Sequence, residues 1–265
     1  MKTEKKYNPK VSILIINYNN KNLIKQSINS VISQDYKNFE VIFFDDNSTD
    51  GSLDILKKIK KKNFFLIKNK KQYKYGSYNQ INGYIQAFDK SKGDIIFFLD
   101  SDDFFHKKKI SFCTEVYKND LNKKIVMDMP LYKYLNKTVK KNKPKRFLSN
   151  HWPQFSPQSC ISMRRDFAKK VLREVNIKKF PNVWLDFRIA VYAKYFSNLY
   201  FLNKHLTYYT QSDSQESANF NFLGLNWWRR RYEAHKYIKF FSKIKKIKYK
   251  PNLDYLITRI INFFL

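Results

Sequence analysis

A chain of 265 residues that is 43% hydrophobic and 18% aromatic can bury a sizeable core, which excludes a disordered or low-complexity protein. No apolar run approaches the roughly 18 to 20 residues needed to span a bilayer, and the charged opening MKTEKKYNPK lacks the apolar stretch of a secretory leader, so a cytoplasmic protein is expected. The formal charge of +30 invites a polyanion, but apart from concentrations at 57–62 and 137–145 the lysines are scattered, which argues against nucleic acid and leaves peripheral contact with an anionic membrane, at the inner face of the plasma membrane, as the better use of that charge.

In chain order, VSILII (Val11 to Ile16) and FEVIFF (Phe39 to Phe44) are short β-branched and aromatic runs, the pattern of strands buried on both faces. Between them, in KNLIKQSINSVISQ, Leu23, Ile24, Ile28, Val31 and Ile32 recur at helical spacing, which completes a β-α-β unit. Asn47 to Gly51 supply turn and cap chemistry, and Leu53, Leu56 and Ile59 then line a second helix. Phe64 to Ile67 reads as a third strand, Ile81, Ile85 and Phe88 as the stripe of a third helix, and Ile95 to Leu99 as a further strand. This alternation predicts a mostly parallel central sheet flanked by helices.

Past about residue 120 the rhythm changes. Cys160 to Met163 reads as a strand, Asp166 to Val175 and Trp184 to Phe196 as helices, and the basic tail from Phe222 as a helical extension. The division expected is a first lobe over 1–120, a second over 121–220 and an amphipathic helical tail over 221–265. Cys113 and Cys160 match neither a metal spacing nor a disulfide framework, and His205 and His235 fall in no metal spacing either. Trp227 to Arg231 fits either a membrane interface or a helix packing its indoles on the core.

Two strands end in acids: Phe43-Phe44-Asp45-Asp46 and Phe98-Leu99-Asp100-Ser101-Asp102-Asp103. Aspartate after a strand is also a common turn former or helix cap, but two such ends would share the carboxyl rim of one sheet, where ligands of open α/β folds bind. Asp100 and Asp102, two apart in an extended segment, would point the same way and converge on one cation. A hard ion such as Mg²⁺ or Mn²⁺ is held by one or two carboxylates plus substrate phosphates, so Asp-Ser-Asp suits a metal bridging a diphosphate.

The ordered set VSILIINYNN, SINSVISQDYKNFEVIFFDDNSTDGS, KGDIIFFLDSDD, SCISMRRDF and VWLDFRIAVYA resembles glycosyltransferase family 2, over roughly residues 10 to 210. The resemblance implies the GT-A fold, an α/β nucleotide-diphospho-sugar transferase, and an inverting, metal-dependent enzyme. Its donor would be a nucleotide-diphosphate sugar, a UDP-sugar by family habit, and its acceptor a hydroxyl of a glycan or lipid-linked saccharide in surface polysaccharide synthesis. By resemblance Ile16, Asn17 and Tyr18 line the nucleotide base, Asp46 accepts a hydrogen bond from the pyrimidine, and Asn82 and Ser101 belong to the donor site. Asp102 is the direct metal ligand, Asp100 lies nearer the ribose and shares the metal, and Asp186 is the general base; a helix-start carboxylate is the plainer reading of Asp186. Trp152 and Gln154, in His151 to Phe155, are acceptor-platform candidates, with an ordinary aromatic core as the alternative.

Three positions depart from the family pattern. Ile16-Asn17 stands where Pro-Thr is common, Ile81 replaces an Arg before Asn82 with Lys74 as the nearby substitute cation, and Leu185 replaces the Glu that often precedes the base. Tyr208-Tyr209 with Ser212 to Ser214 matches a loop that folds over the donor. Two other classes compete: a non-catalytic nucleic-acid-binding or scaffold protein, which would not need Asp46, Asp100, Asp102 and Asp186 together, and a nucleotidyltransferase, which would carry glycine in the turn occupied by Asn17-Tyr18-Asn19-Asn20.

Overall fold

The computed structural model describes residues 8–134, 137–140, 152–197, 199–211 and 222–265. β1 (Val11–Asn17), β2 (Phe39–Asp45), β3 (Phe64–Lys68) and β4 (Ile95–Asp100) form the parallel half of the sheet, in the order β3-β2-β1-β4. Period-2 alternation gives this half two apolar faces. Leu14, Ile16, Ile42, Phe44, Ile96 and Phe98 enter one core, while Ile13, Ile15, Val41, Phe43, Phe97 and Leu99 enter the other.

The helices between the strands cover these faces. α1 (Lys21–Ile32) and the short α2 (Ser52–Lys57) lie on the second core, where Ile24, Ile28, Val31 and Leu56 are buried. α3 (Gly76–Lys90) lies on the first, burying Ile81, Tyr84, Ala87 and Phe88. α2 closes before Ile59, which packs only at the margin of its core, so the predicted Leu53–Leu56–Ile59 stripe is shortened.

Beyond β4 the sheet continues across position 120. After the two-residue β5 (Phe104–Phe105) and α4 (Lys109–Asn119) come β6 (Ile125–Lys133), β7 (Thr138–Lys140), β8 (Ile161–Arg164) and β9 (Tyr200–Thr210). β8 runs antiparallel between β4 and β6, and β9 pairs parallel to β6 and antiparallel to β5, so this half is mixed. α4, β6 and β9 are elements that periodicity does not mark. β6 buries Asp128 and carries Pro130 where its register with β9 shifts, a place where a strand tolerates a missing N–H donor. α4 buries Lys109 instead of an apolar residue.

α5 (Arg165–Val175), α6 (Leu185–Phe196) and α7 (Leu225–Ile244) complete the first core, and α8 (Leu253–Phe263) folds back on α7 as the predicted helical extension. Among the described residues no helix is long and apolar enough to cross a membrane. Cys113 and Cys160 are buried free thiols; His205 is half-buried beside the Pro130 carbonyl, and His235 is buried under α8.

The entry into β4 depends on a close backbone approach. A Cβ added at Gly93 would lie 2.5 Å from the Ser12 backbone nitrogen and 2.7 Å from the Val11 carbonyl carbon, and the Gly93 N–H donates to Ser12 Oγ at 2.7 Å. Backbone cannot swing aside as a side chain can, so Gly93→Ala destabilises by about 2–3 kcal/mol, read from denaturant midpoints.

Candidate active site

β1, β2 and β4 end side by side, with Ile16 in register with both Phe44 and Asp100. β2 and β3 lie to one side of β1 and β4 to the other, so Asp100 sits where the strand order reverses and side chains can reach into the crevice.

The turn after β1 is braced from within. Asn17, fully buried, donates its amide to Asp45 Oδ2 at 2.7 Å and to Ser48 and Ser52 at 3.1 and 3.0 Å. Ser101 is equally buried; its N–H donates to the Ile16 carbonyl at 3.0 Å and its hydroxyl accepts from Asn20 at 2.8 Å. Asn19 and Asn47 take left-handed conformations (φ 50° and 57°), which asparagine tolerates, and Thr49 N–H closes onto Asn19 Oδ1 at 2.8 Å. Of the residues expected to line the base, Ile16 and Asn17 are buried at this turn and Tyr18, 55% exposed, projects from it; Ser101, expected in the donor site, is buried beside them.

Asp46 caps β2 with only 4% exposure. Burial pushes its carboxyl up, the Asp45 charge adds to this, and hydrogen bonding from Asn69 and Gln72 restrains it. Asn69, absent from the sequence reading, is therefore the partner that orients Asp46.

The acidic turn after β4 differs in shape from the expectation. The strand stops at Asp100 and the chain turns, Asp103 N–H donating back to the Asp100 carbonyl at 3.0 Å, so Asp100 and Asp102 are brought together by a turn and not by extended alternation. Asp100 accepts from Tyr84 Oη at 2.8 Å and weakly from Gln80 Nε2 at 3.3 Å, two residues one helical turn apart on α3. Asn82 is turned off that face, two positions beyond Gln80. Burial first, then the Asp102 charge, push the Asp100 carboxyl up to about 7, with Asp186 adding and the Tyr84 bond opposing. Asp103 is raised further by burial and by Asp102 and Asp100, although Thr210 N–H donates to it at 2.9 Å.

A buried cation supports this turn from below. Lys109 Nζ pairs with Asp128, donates to the Ser159 carbonyl at 2.9 Å and to Thr207 Oγ1 at 2.6 Å, and Ser159 Oγ in turn accepts the Asp100 N–H at 3.0 Å. Burial alone would lower the ammonium, but the Asp128 carboxylate outweighs it and keeps Lys109 charged.

Asp186 reaches the same place from α6. It lies in the first turn of α6, where Phe187 N–H donates to its Oδ1 at 2.7 Å. Burial raises its carboxyl above the ordinary aspartate range and outweighs the Arg230 guanidinium and that N–H, both of which pull it down. Tyr209 marks the convergence: burial and then Asp103, Asp102, Asp186 and Asp100 all drive its phenol well above the usual range. Ser212 to Ser214, further along the same segment, lie outside the described residues, as does His151.

Trp152 is half-buried, packing on Phe187 and His235 with ring centroids 4.9 and 5.0 Å apart, and the Arg231 guanidinium lies 4.4 Å from its ring centre. It joins α6 to α7, and Gln154 follows it half-buried. Sequence reasoning passed over Gln80, Tyr84 and Ser159, of which only the Gln80–Tyr84 spacing carried a usable signal; Tyr209 and Arg230 were singled out there for other roles, in a donor loop and in a membrane-facing or core-packing helix.

Among the described residues no three His, Cys, Asp or Glu side chains gather as a protein-only metal cage. The donor set fits a hard divalent ion completed by phosphate oxygens: two carboxylates in one turn, a third behind them, and buried Asp103 Oδ2 and Gln80 Oε1 with no partner among the described residues.

The raised Asp100 carboxyl has a consequence for stability. Between the ordinary carboxylate value of 3.8 and about 7 the folded protein holds a proton there that the unfolded chain has released. Metal-free stability therefore falls as pH rises through that window. Glu40 and Asp254, whose carboxyls are lowered, give the opposite slope, but only as pH falls below their ordinary values. Unfolding midpoints measured between those limits should show the decline in the parent and a flatter curve in Asp100→Asn.

The profile of Glycosyl transferase family 2 matches residues 12–175. Over 101 residues the chain is 44% identical to UDP-Glc:alpha-D-GlcNAc-diphosphoundecaprenol beta-1,3-glucosyltransferase WfaP of Escherichia coli, a stretch that is 38% of each protein. In three dimensions it resembles S. aureus TarS 1–349 in complex with UDP-GlcNAc, with a TM-score of 0.63 at 19% identity over 85% of this chain and 65% of that one. It also resembles the mannosyltransferase PcManGT of Pyrobaculum calidifontis in complex with GDP-Man and Mn²⁺, with a TM-score of 0.60 at 15% identity over 92% and 66%. At these identities the two structures speak for the fold alone.

Proposed function

The chain belongs to glycosyltransferase family 2, and from that premise we propose that it is an inverting, metal-dependent transferase moving a sugar from a UDP-sugar to a hydroxyl of a lipid-linked saccharide in surface polysaccharide synthesis. The observation that carries this reading is the meeting of Asp186 with Asp100 and Asp102 at the switch point of the sheet, from positions 84 to 86 residues apart. A base must stand near the donor's leaving group yet apart from the groups that hold it, and this arrangement supplies both. The lipid-linked acceptor and the UDP donor are read from WfaP, of whose length this chain spans 38%.

Residues 1–120 would hold the donor and 121–220 the acceptor, with Arg230 of the tail bearing on Asp186. Asp102, with Asp100, would hold Mg²⁺ or Mn²⁺. A bound ion there would act as a Lewis acid on the departing diphosphate. Tyr84 and Gln80 fix Asp100, and the Lys109–Asp128–Ser159 network fixes the turn under it, so the carboxylates are set before the donor arrives. Asp186 takes the proton of the acceptor hydroxyl as its oxygen bonds to the anomeric carbon from the face opposite the diphosphate; the bond to the diphosphate oxygen breaks, and configuration inverts. Burial of Asp186 raises its basicity for this step.

The test is thermal unfolding with UDP-, GDP- and dTDP-sugars, each with and without Mn²⁺. A midpoint raised by one UDP-sugar only with Mn²⁺ supports the reading, since a ligand that binds the folded form alone stabilises it. Equal response with and without the ion, or none to any donor, overturns it.

A further inference from the structure

The outer face of α8 has no partner among the described residues. Leu253, Leu256, Ile257, Ile260, Phe263 and Phe264 recur at spacings of three and four, and all are exposed, the two phenylalanines at 83% and 79%. The inner face is pinned. Tyr255 and Thr258 are buried, and Asp254 receives two hydrogen bonds at 2.7 Å from Arg231 and one contact at 3.0 Å from His235. Asn262 donates to the Trp228 carbonyl at 3.1 Å and Arg229 to the Leu265 carbonyl at 3.3 Å, which ties the end of α8 to the start of α7. Phe222, Leu223 and Leu225, also exposed, enter α7 at that same end.

Charge decides what this surface fits. Residues 222–265 carry eleven Lys and Arg against two acids, and both acids are engaged, Asp254 as above and Glu233 by Asn182 at 2.6 Å. An apolar stripe with Arg259 beside Leu256 and Ile260, Arg229 at its end and this excess of cations on the same helix pair matches the headgroup boundary of an anionic bilayer. A second copy of this chain, itself at +30, would bring like charge against like.

The surface also adjoins the acceptor side of the site. Arg230, in the first turns of α7, projects its charge onto Asp186, and Arg231 lies 4.4 Å from the Trp152 ring centre and 5.0 Å from that of Trp227. We propose that the outer face of α8 and the first turn of α7 seat the protein on an anionic membrane, with the acceptor side of its site held toward a lipid-linked saccharide. The second half of this statement rests on the proposed function; the seating does not.

The experiment uses the full chain, sedimented with vesicles of phosphatidylcholine alone or mixed with phosphatidylglycerol, with Trp227 and Trp228 fluorescence as a second signal. The parent binds the phosphatidylglycerol vesicles, and more weakly as salt rises. The double variant Ile257→Asp, Ile260→Asp, altered only at exposed positions, keeps the parental unfolding midpoint and its transfer to a short soluble acceptor but loses about tenfold or more in partitioning for each substitution. Asp186→Asn sediments like the parent, so failure of the catalytic reading leaves this result standing. The proposal is overturned if the parent ignores phosphatidylglycerol at low salt, if the double variant binds as the parent does, or if what the variant loses is self-association by light scattering.

Discussion

Asp186→Asn lowers sugar transfer by about 10²- to 10⁴-fold and leaves donor affinity as it was. The substitution keeps the shape of the group and its place in the first turn of α6, with an amide oxygen still able to accept from Phe187 N–H, so it removes proton acceptance and little else. Burial already holds the parental carboxyl above its ordinary range despite the Arg230 charge, which makes it a better base. The pH profile separates this role from mere packing: the parental rate rises with deprotonation of a group above the usual aspartate range, and the residual activity of the variant lacks that limb. A variant that transfers at near the parental rate removes Asp186 from the chemistry.

Asp102→Ala weakens Mn²⁺-dependent binding of the donor by about 100-fold or more, since removal of outer-shell partners alone commonly costs 10- to 100-fold in metal affinity. Donor binding without the ion changes little. Asp102 is half-exposed at the turn, so its loss opens no cavity, and it relieves the repulsion that Asp100 and Asp103 feel from it. The metal-free variant therefore keeps a cooperative unfolding transition near neutral pH while binding its ligand less well. An unchanged Mn²⁺ titration by calorimetry in the presence of UDP would sink the assignment.

These two expectations come from differently legible parts of the chain. β1, β2 and β4 are written in runs of Val, Ile, Leu and Phe that are buried on both faces, and α1 and α3 in stripes at helical spacing, so local pattern suffices to mark them. β6 and α4 escape that reading because they bury Asp128 and Lys109, each tolerable in a core only because the other stands beside it. The turn at Asp100 to Asp103 escaped for a related reason: strand alternation continues on paper, whereas the chain closes a hydrogen-bonded turn there.

Composition, the oily strands and the acids that end them were sufficient to determine an α/β chain with a charged rim at its strand ends, because strand and helix periods and turn chemistry are local properties. Only the tertiary structure decided which groups answer those acids. Tyr84 and Gln80 reach Asp100 across a helix–sheet contact, Lys109 at the start of α4 and Ser159 just before β8 hold its turn, and Asp186 arrives from the first turn of α6. Burial, which raises the carboxyls of Asp46, Asp100, Asp103 and Asp186, is likewise a property of the packed whole, since each is desolvated by residues that are not its neighbours in sequence.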